Sequence, residues 1–166
     1  MYTLKPITLA GVPAALRKAE RYRLLNDSSA AESICRDVLE VDPENQQAAV
    51  TLLLAITDQI RFAIAQNVTR AREVLPRLHD PYKRHYYAGV ISERRAKAHL
   101  QQGGPRSYEV AAEWLHEAMQ AYERAEAIRP DGNDEAILRW NTCARLLNRS
   151  ERLHPPVEEA YEPSLE

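Results

Sequence analysis

The side chains that most often carry chemistry in proteins are few in this sequence and widely separated. Five histidines stand at positions 79, 85, 99, 116 and 154, and none belongs to a His-Glu-x-x-His sequence. The two cysteines, Cys35 and Cys143, form no Cys-x-x-Cys pair, so the usual zinc-ligand spacings are missing. Each cysteine lies in an apolar helical pattern, which is typical of a small buried hydrophobic residue. We expect neither a metal site nor a disulfide, and a reducing compartment is favoured.

A phosphate-binding loop is also missing. Residues 102–105 contain two adjacent glycines, but no Gly-Lys-Ser or Gly-Lys-Thr follows them. A nucleophilic cysteine would need a neighbouring histidine, and nothing in the sequence brings one to either cysteine. His116 adjoins Glu117, a pair typical of a solvated helix face. The sequence therefore predicts a protein that is not an enzyme and needs no cofactor.

Charge is distributed unevenly along the chain, although the formal net charge is only −2. Residues 70–97 contain eight lysines and arginines against three acidic residues, with Tyr82, Tyr86 and Tyr87 interspersed. Such a segment suits an acidic peptide, because arginine forms charge-assisted hydrogen bonds with carboxylates and tyrosine offers flat apolar contact. An exposed helix face that mixes charges for solubility is the simpler interpretation, and both remain open.

The end of the chain has the opposite charge. Residues 151–166 contain five glutamates and one arginine. We expect residues 154–166 to form an acidic tail beyond the last helix. One hypothesis is that this tail acts as a weak placeholder in the basic middle of its own or a neighbouring chain.

Hydrophobic periodicity predicts that helices carry all of these residues. Apolar residues recur at intervals of three and four in seven segments, and no segment reads as a strand. The chain is long enough for one domain with a core. We expect an arm at 1–11, a helical domain at 12–153 and the tail at 154–166. The domain divides into hairpins at about 12–45, 46–80 and 81–132, followed by a final helix at 133–150.

Polar residues and prolines predict where the helices begin and end. Ser29 with Glu32 has the spacing of a capping box, and Asn67 and Ser107 are predicted to cap later helices. The Asp-Pro pairs at 42–43 and 80–81 are predicted to end one helix and begin the next, with aspartate as N-cap and proline at the first helical position. Pro76 should end or kink the helix that contains it. The preceding helix in the chain should run from 46 to about 65.

Two segments share a spacing of small and large residues before a proline. Ala31, Cys35, Val38 and Pro43 are spaced in the same way as Ala118, Tyr122, Ala125 and Pro130. In addition, residues 12–45 form a unit of 34 residues with Ala19 and Tyr22 in its first helix, and Gly89 lies near the matching position of the third unit.

This pattern resembles the tetratricopeptide repeat, a helix pair of 34 residues, over about residues 12–148. The second and third units depart from the family spacing by six and seventeen extra residues, so the third hairpin should be long. The resemblance implies an all-α fold of about seven helices, with antiparallel hairpins stacked as a right-handed superhelix.

The resemblance also implies a binding surface, because in this family the first helix of each pair lines a concave groove that holds a peptide or a partner helix. The groove positions carried over to this sequence are Leu16, Glu20, Arg23, Leu54, Thr57, Asp58, Arg61, Tyr86, Val90, Glu93, Arg94 and Lys97. One form of the groove clamps a C-terminal carboxylate with Lys and Asn in the first repeat. Leu16 and Glu20 stand there instead, so that form is not expected.

The expected function is that of an adaptor that binds a protein partner, in particular an extended or acidic peptide. Three alternatives remain open, and the simplest is a structural subunit whose apolar hairpin face is buried in a larger complex. A chaperone for a secreted or assembly-prone subunit predicts a homodimer through the N-terminal helix, and a nucleic-acid regulator would use residues 70–97. The small net charge weakens the nucleic-acid alternative. No secretory signal or membrane-length apolar run is present, so we expect a cytoplasmic protein.

Overall fold

The computed structural model describes residues 1–149 and Leu153, and within this part of the chain the protein is all-helical. The described residues form seven α-helices, which confirms the predicted all-α class. They are α1 (Val12–Leu24), α2 (Ser28–Val41), α3 (Gln46–Asp58), α4 (Ile64–Val74), α5 (Pro81–Gln102), α6 (Ser107–Glu126) and α7 (Glu135–Arg149). Short 3-10 turns occupy Leu9–Gly11, Ile60–Phe62 and Leu75–Arg77. The predicted tail at 154–166 lies outside the described residues.

The two proline-based predictions for α4 and α5 are confirmed. Helix α4 ends at Val74, and Pro76 lies in the 3-10 turn that follows, because proline cannot continue the helical hydrogen bonds. Pro81 is the first residue of α5, and the Asp80 carboxylate accepts a hydrogen bond from the backbone N–H of Tyr82 at 2.9 Å.

The boundary between α2 and α3 differs from the prediction. Asp42 follows the last residue of α2, but it does not cap α3. Asn45 does so instead, since its side chain accepts a hydrogen bond from the N–H of Ala48 at 2.8 Å. The Asp42 carboxylate accepts a hydrogen bond from the Asn45 amide, so it supports the cap from outside. Helix α3 then ends at Asp58, seven residues before the predicted end at 65.

Three other predicted N-caps are wrong because each helix begins at or before the polar residue chosen. Asp27 caps α2 by accepting a hydrogen bond from Ala30 N–H, which places Ser29 inside the helix. Asn67 is buried within α4 and donates a hydrogen bond to the carbonyl of Gln59 at 2.8 Å. Ser107 is the first residue of α6, where its hydroxyl donates to the carbonyl of Gly104.

The helices pack mainly against their neighbours in the chain. Helix α1 packs on α2, α2 on α3, α5 on α6 and α6 on α7. Helix α3 also contacts both α1 and α5, so the first helices of the three hairpins lie side by side. The third hairpin is the longest, with 22 residues in α5 and 20 in α6, as the insertion predicts.

Two hydrophobic cores meet at α5. The first core lies among α1 to α4 and includes Ile91 and Ala98 of α5. The second lies among α5, α6 and α7, and Tyr87 of α5 packs against both. At Gly89 the backbone of α5 approaches α6 so closely that a Cβ atom would lie 2.5 Å from the Tyr122 ring. Helix α5 thus belongs to both halves of the molecule.

Candidate partner-binding groove

Helices α1, α3 and α5, together with the 3-10 turn Ile60–Phe62 that follows α3, line an open groove that consists of two adjoining depressions. The first has a volume of about 430 Å³, and its walls are Glu20, Arg23, Leu24, Gln46, Gln47, Val50, Thr51, Leu54 and Lys83. The second has a volume of about 210 Å³, and its walls are Thr57, Asp58, Ile60, Arg61, Arg94, Lys97, Ala98 and Gln101. The groove lies on the three helices that the repeat pattern selected.

A bridge of charged side chains separates the two depressions and joins the three helices. The Asp58 carboxylate of α3 accepts a hydrogen bond from Arg23 Nε of α1 at 2.7 Å and another from Arg94 Nη1 of α5. Arg94 also donates to the hydroxyl of Thr57 at 2.6 Å. The side chains of Arg23, Asp58 and Arg94 are about a quarter exposed. Two guanidinium groups therefore share one carboxylate at the centre of the groove.

The walls of the groove carry more positive than negative charge. Five cations, Arg23, Arg61, Lys83, Arg94 and Lys97, stand in the walls against two wall carboxylates, Glu20 and Asp58, and a third carboxylate, the buried Glu93, pairs with Lys97 from beneath. Arg61 and Lys83 are exposed, and neither forms an ion pair with any described residue.

Apolar groups adjoin these charges. Leu54 and Val50 are partly exposed within the first depression. Beside the second depression, the guanidinium of Arg61 lies 4.6 Å from the centre of the Phe62 ring, which is 74% exposed. A surface with excess cations and nearby apolar groups can hold an anionic segment that also carries hydrophobic side chains.

Seven of the twelve predicted groove residues line the two depressions with partly or fully exposed side chains. They are Glu20, Arg23, Leu54, Asp58, Arg61, Arg94 and Lys97. Thr57 also lines the second depression, but it is only 2% exposed, and its hydroxyl bonds to Arg94 and to the Leu54 carbonyl. It therefore supports the groove from beneath.

The other four predicted residues lie elsewhere. Leu16 is buried in the first core and Val90 in the second, so neither offers surface to a partner. Glu93 is fully buried. Tyr86 is partly buried, lines neither depression and stacks on Tyr82. The assignment of Tyr86, Val90 and Glu93 to the groove is wrong because their part of α5 faces α6 and α7 instead of α3.

Glu93 is the centre of an internal polar network. Its carboxylate accepts hydrogen bonds from Lys97 Nζ at 2.6 Å, from the Tyr122 hydroxyl at 2.7 Å and from Arg139 Nη1 at 3.2 Å. Burial alone would raise the pKa of Glu93, but these hydrogen bonds and the charges of Lys97 and Arg139 outweigh it, so the pKa is lowered. Glu93 therefore holds α5, α6 and α7 together and does not bind a partner.

The basic stretch at 70–97 does not form one continuous binding surface. Arg70 pairs with Glu32, and Arg72 pairs with Glu117 at 2.7 Å. The guanidinium of Arg95 stacks 3.6 Å above the Trp114 ring. Most cations of this stretch thus link helices to one another, and only Lys83, Arg94 and Lys97 line the groove.

Lys83 is the one charged residue of the groove walls that the sequence did not predict. A signal for it exists, since it lies eleven residues before Arg94, close to three helical turns, and so shares its face of α5.

The two cysteines are free and buried, which confirms the interpretation of both as small hydrophobic residues. Burial raises the pKa of each thiol to about 12, so almost no reactive thiolate is present at neutral pH. We expect neither cysteine to react with Ellman's reagent in the native protein at about pH 7. Both should react once guanidinium chloride unfolds it. Rapid reaction of either thiol before unfolding would contradict the burial.

Comparisons of the chain with family models, with curated proteins and with solved structures find no match. Among the described residues, no group of three or more His, Cys, Asp and Glu side chains is placed to hold a metal ion. In the same part of the chain, no helix combines the length and apolar character required to cross a bilayer. The function must therefore be inferred from the groove's own chemistry.

Proposed function

We propose that this protein is a cytoplasmic adaptor whose groove binds an acidic, extended segment or helix of a partner protein. The observation that carries this proposal is the charge of the groove, whose walls hold five cations against two carboxylates. The tetratricopeptide-like spacing of small residues and prolines supports the same function, and we propose a stack of that type for the hairpins.

The groove is suited to binding without large rearrangement. Asp58 already orients Arg23 and Arg94, and the Thr57 hydroxyl fixes Arg94 from below. Side chains that are held in place before binding lose less conformational entropy when a partner arrives. The exposed cations Arg61 and Lys83 would then contact partner carboxylates, while Leu54 contacts an apolar side chain.

The structure gives less support to nucleic acid as the ligand. A nucleic-acid surface requires many unpaired cations along one face. Arg70 and Arg72, which belong to the basic stretch, instead form ion pairs with carboxylates outside the groove.

Charge reversal on the groove walls tests the proposal. We expect the double substitution Arg61→Glu and Lys83→Glu to weaken binding of a fluorescent peptide rich in glutamate and leucine by at least about tenfold at low salt. Both side chains are exposed, so the fold should be unchanged. Fluorescence anisotropy measures the affinity, and circular dichroism checks the fold.

A matched control is available on the later helices. Arg124 and Arg145 are exposed and line neither depression, so Arg124→Glu with Arg145→Glu changes the net charge equally. This control should retain most of the affinity, and a peptide with glutamine for glutamate should bind weakly to every protein. Equal loss in both double variants would show that binding is not located in the groove.

A further inference from the structure

The outer side of α1 forms a second charged surface, separate from the groove. A depression of about 470 Å³ lies there, and its walls are Arg17, Lys18, Arg21, Tyr22 and Leu25. We call these five residues the outer α1 surface. It contains three cations and no acidic residue, together with an aromatic ring and a leucine that is 64% exposed.

The cations of the outer α1 surface are not neutralised by the rest of the described chain. Arg17, Lys18 and Arg21 form no ion pair with any residue in 1–149, whereas Arg23 on the same helix pairs with Asp58. Glu20, the one acidic residue of α1, accepts a hydrogen bond from Gln47 on the groove side.

This arrangement is unfavourable in the isolated chain. Arg17 and Arg21 are one helical turn apart, a spacing at which like charges destabilise a helix. An anionic segment that covered the surface would relieve this repulsion, and Tyr22 and Leu25 would provide apolar contact.

The chain itself contains an acidic segment that also carries hydrophobic side chains. Residues 157–166, which lie outside the described residues, contain four glutamates and no lysine or arginine, together with Tyr161 and Leu165. We propose that this acidic segment of one copy binds the outer α1 surface of a second copy. The proposal does not depend on the function of the groove.

Binding between copies is favoured because the two elements belong to different halves of the molecule. Leu153 packs into the second core, with α5, α6 and α7, while α1 belongs to the first core. A symmetric dimer through α1, as a chaperone-like protein would use, places three cations opposite three cations and is disfavoured. A contact between the tail of one copy and α1 of the next is heterologous, so it can add further copies.

Sedimentation velocity on the full chain tests the proposal. Association should increase with protein concentration at low salt and weaken at least about tenfold when salt is raised to about 0.5 M, because exposed charges are then screened. A synthetic peptide of residues 154–166 should compete with it. Arg17→Glu with Arg21→Glu should abolish association, whereas the matched control Arg124→Glu with Arg145→Glu should preserve it.

A charge swap gives the decisive result. Adding Glu158→Lys and Glu159→Lys to the Arg17→Glu, Arg21→Glu variant should restore association. The proposal would be overturned if the protein stayed monomeric at all concentrations. It would also be overturned if association did not change with salt or on addition of the peptide. Loss of association in the groove variant Arg61→Glu, Lys83→Glu would overturn it too, since the tail would then occupy the groove. Binding of the outer α1 surface to anionic vesicles or oligonucleotides without self-association would overturn it as well.

Discussion

Replacing Glu93 with alanine should lower the free energy of unfolding by about 3–5 kcal/mol, because it leaves a buried ion-pair network without its central carboxylate. Glu93 has no exposed surface, and it accepts hydrogen bonds from three other residues. Without it, the Tyr122 hydroxyl loses its partner inside the core, and Arg139 loses its counter-ion. Urea unfolding followed by circular dichroism measures the change.

Two further variants distinguish the contribution of the Glu93 carboxylate to stability from that of its partners. Glu93→Gln keeps the shape of the side chain but removes the charge, so its effect should be smaller than that of alanine. Lys97→Ala removes one partner that is 42% exposed, and it should cost only about 1 kcal/mol or less. An unchanged urea midpoint in Glu93→Ala would show that the network does not stabilise the fold.

The same network predicts how stability depends on pH. The pKa of Glu93 is lower in the folded protein than its usual value of 4.5, so the ionised carboxylate stabilises the fold above that value. This contribution should be lost as the pH falls below 4.5 and through the lowered pKa of the folded state. Thermal unfolding of the wild type should therefore become steeply acid-sensitive in this range, and Glu93→Gln should lose part of that sensitivity.

A side chain at position 89 should have the next largest effect. Gly89→Val should lower the free energy of unfolding by about 2–3 kcal/mol, since even a Cβ atom would lie 2.5 Å from the buried Tyr122 ring. Gly89→Ala should be less harmful, because alanine also favours the helix by about 1 kcal/mol relative to glycine. Chemical denaturation of both variants measures the difference.

A double-mutant cycle tests whether Tyr122 is the cause. In a Tyr122→Leu background the ring is gone, so Gly89→Ala should be nearly neutral or stabilising. Additive effects of the two substitutions would instead mean that the cost of a side chain at position 89 does not come from contact with the Tyr122 ring.

Much of the fold is predictable from the sequence because it depends on local patterns. The apolar intervals locate all seven helices, and proline has a fixed backbone geometry that ends α4 near Pro76 and begins α5 at Pro81. The N-caps are harder to predict, since Asp27, Ser28 and Ser29 are all suitable residue types. Only the hydrogen bond from Ala30 to Asp27 decides among them.

The groove is predictable only in part, because its residues depend on contacts that are distant in sequence. The resemblance selects α1, α3 and α5, on which the groove lies, and with them the pair Asp58 and Arg94, which the structure brings into contact. It cannot show that Glu93 is buried, because the partners Tyr122 and Arg139 are 29 and 46 residues away. A glutamate next to Arg94 looks solvent-exposed until those helices are in place.

Helix α5 passes along both depressions, so it fixes the distance between the cations that a partner would contact. Lys83 in the first depression and Arg94 in the second belong to one continuous helix, eleven residues apart, and so lie about 16 Å apart along its axis. A helix does not stretch to adjust that separation. A partner that uses both depressions therefore needs two anionic groups at matching distance, about five residues apart in an extended chain or eleven in a helix.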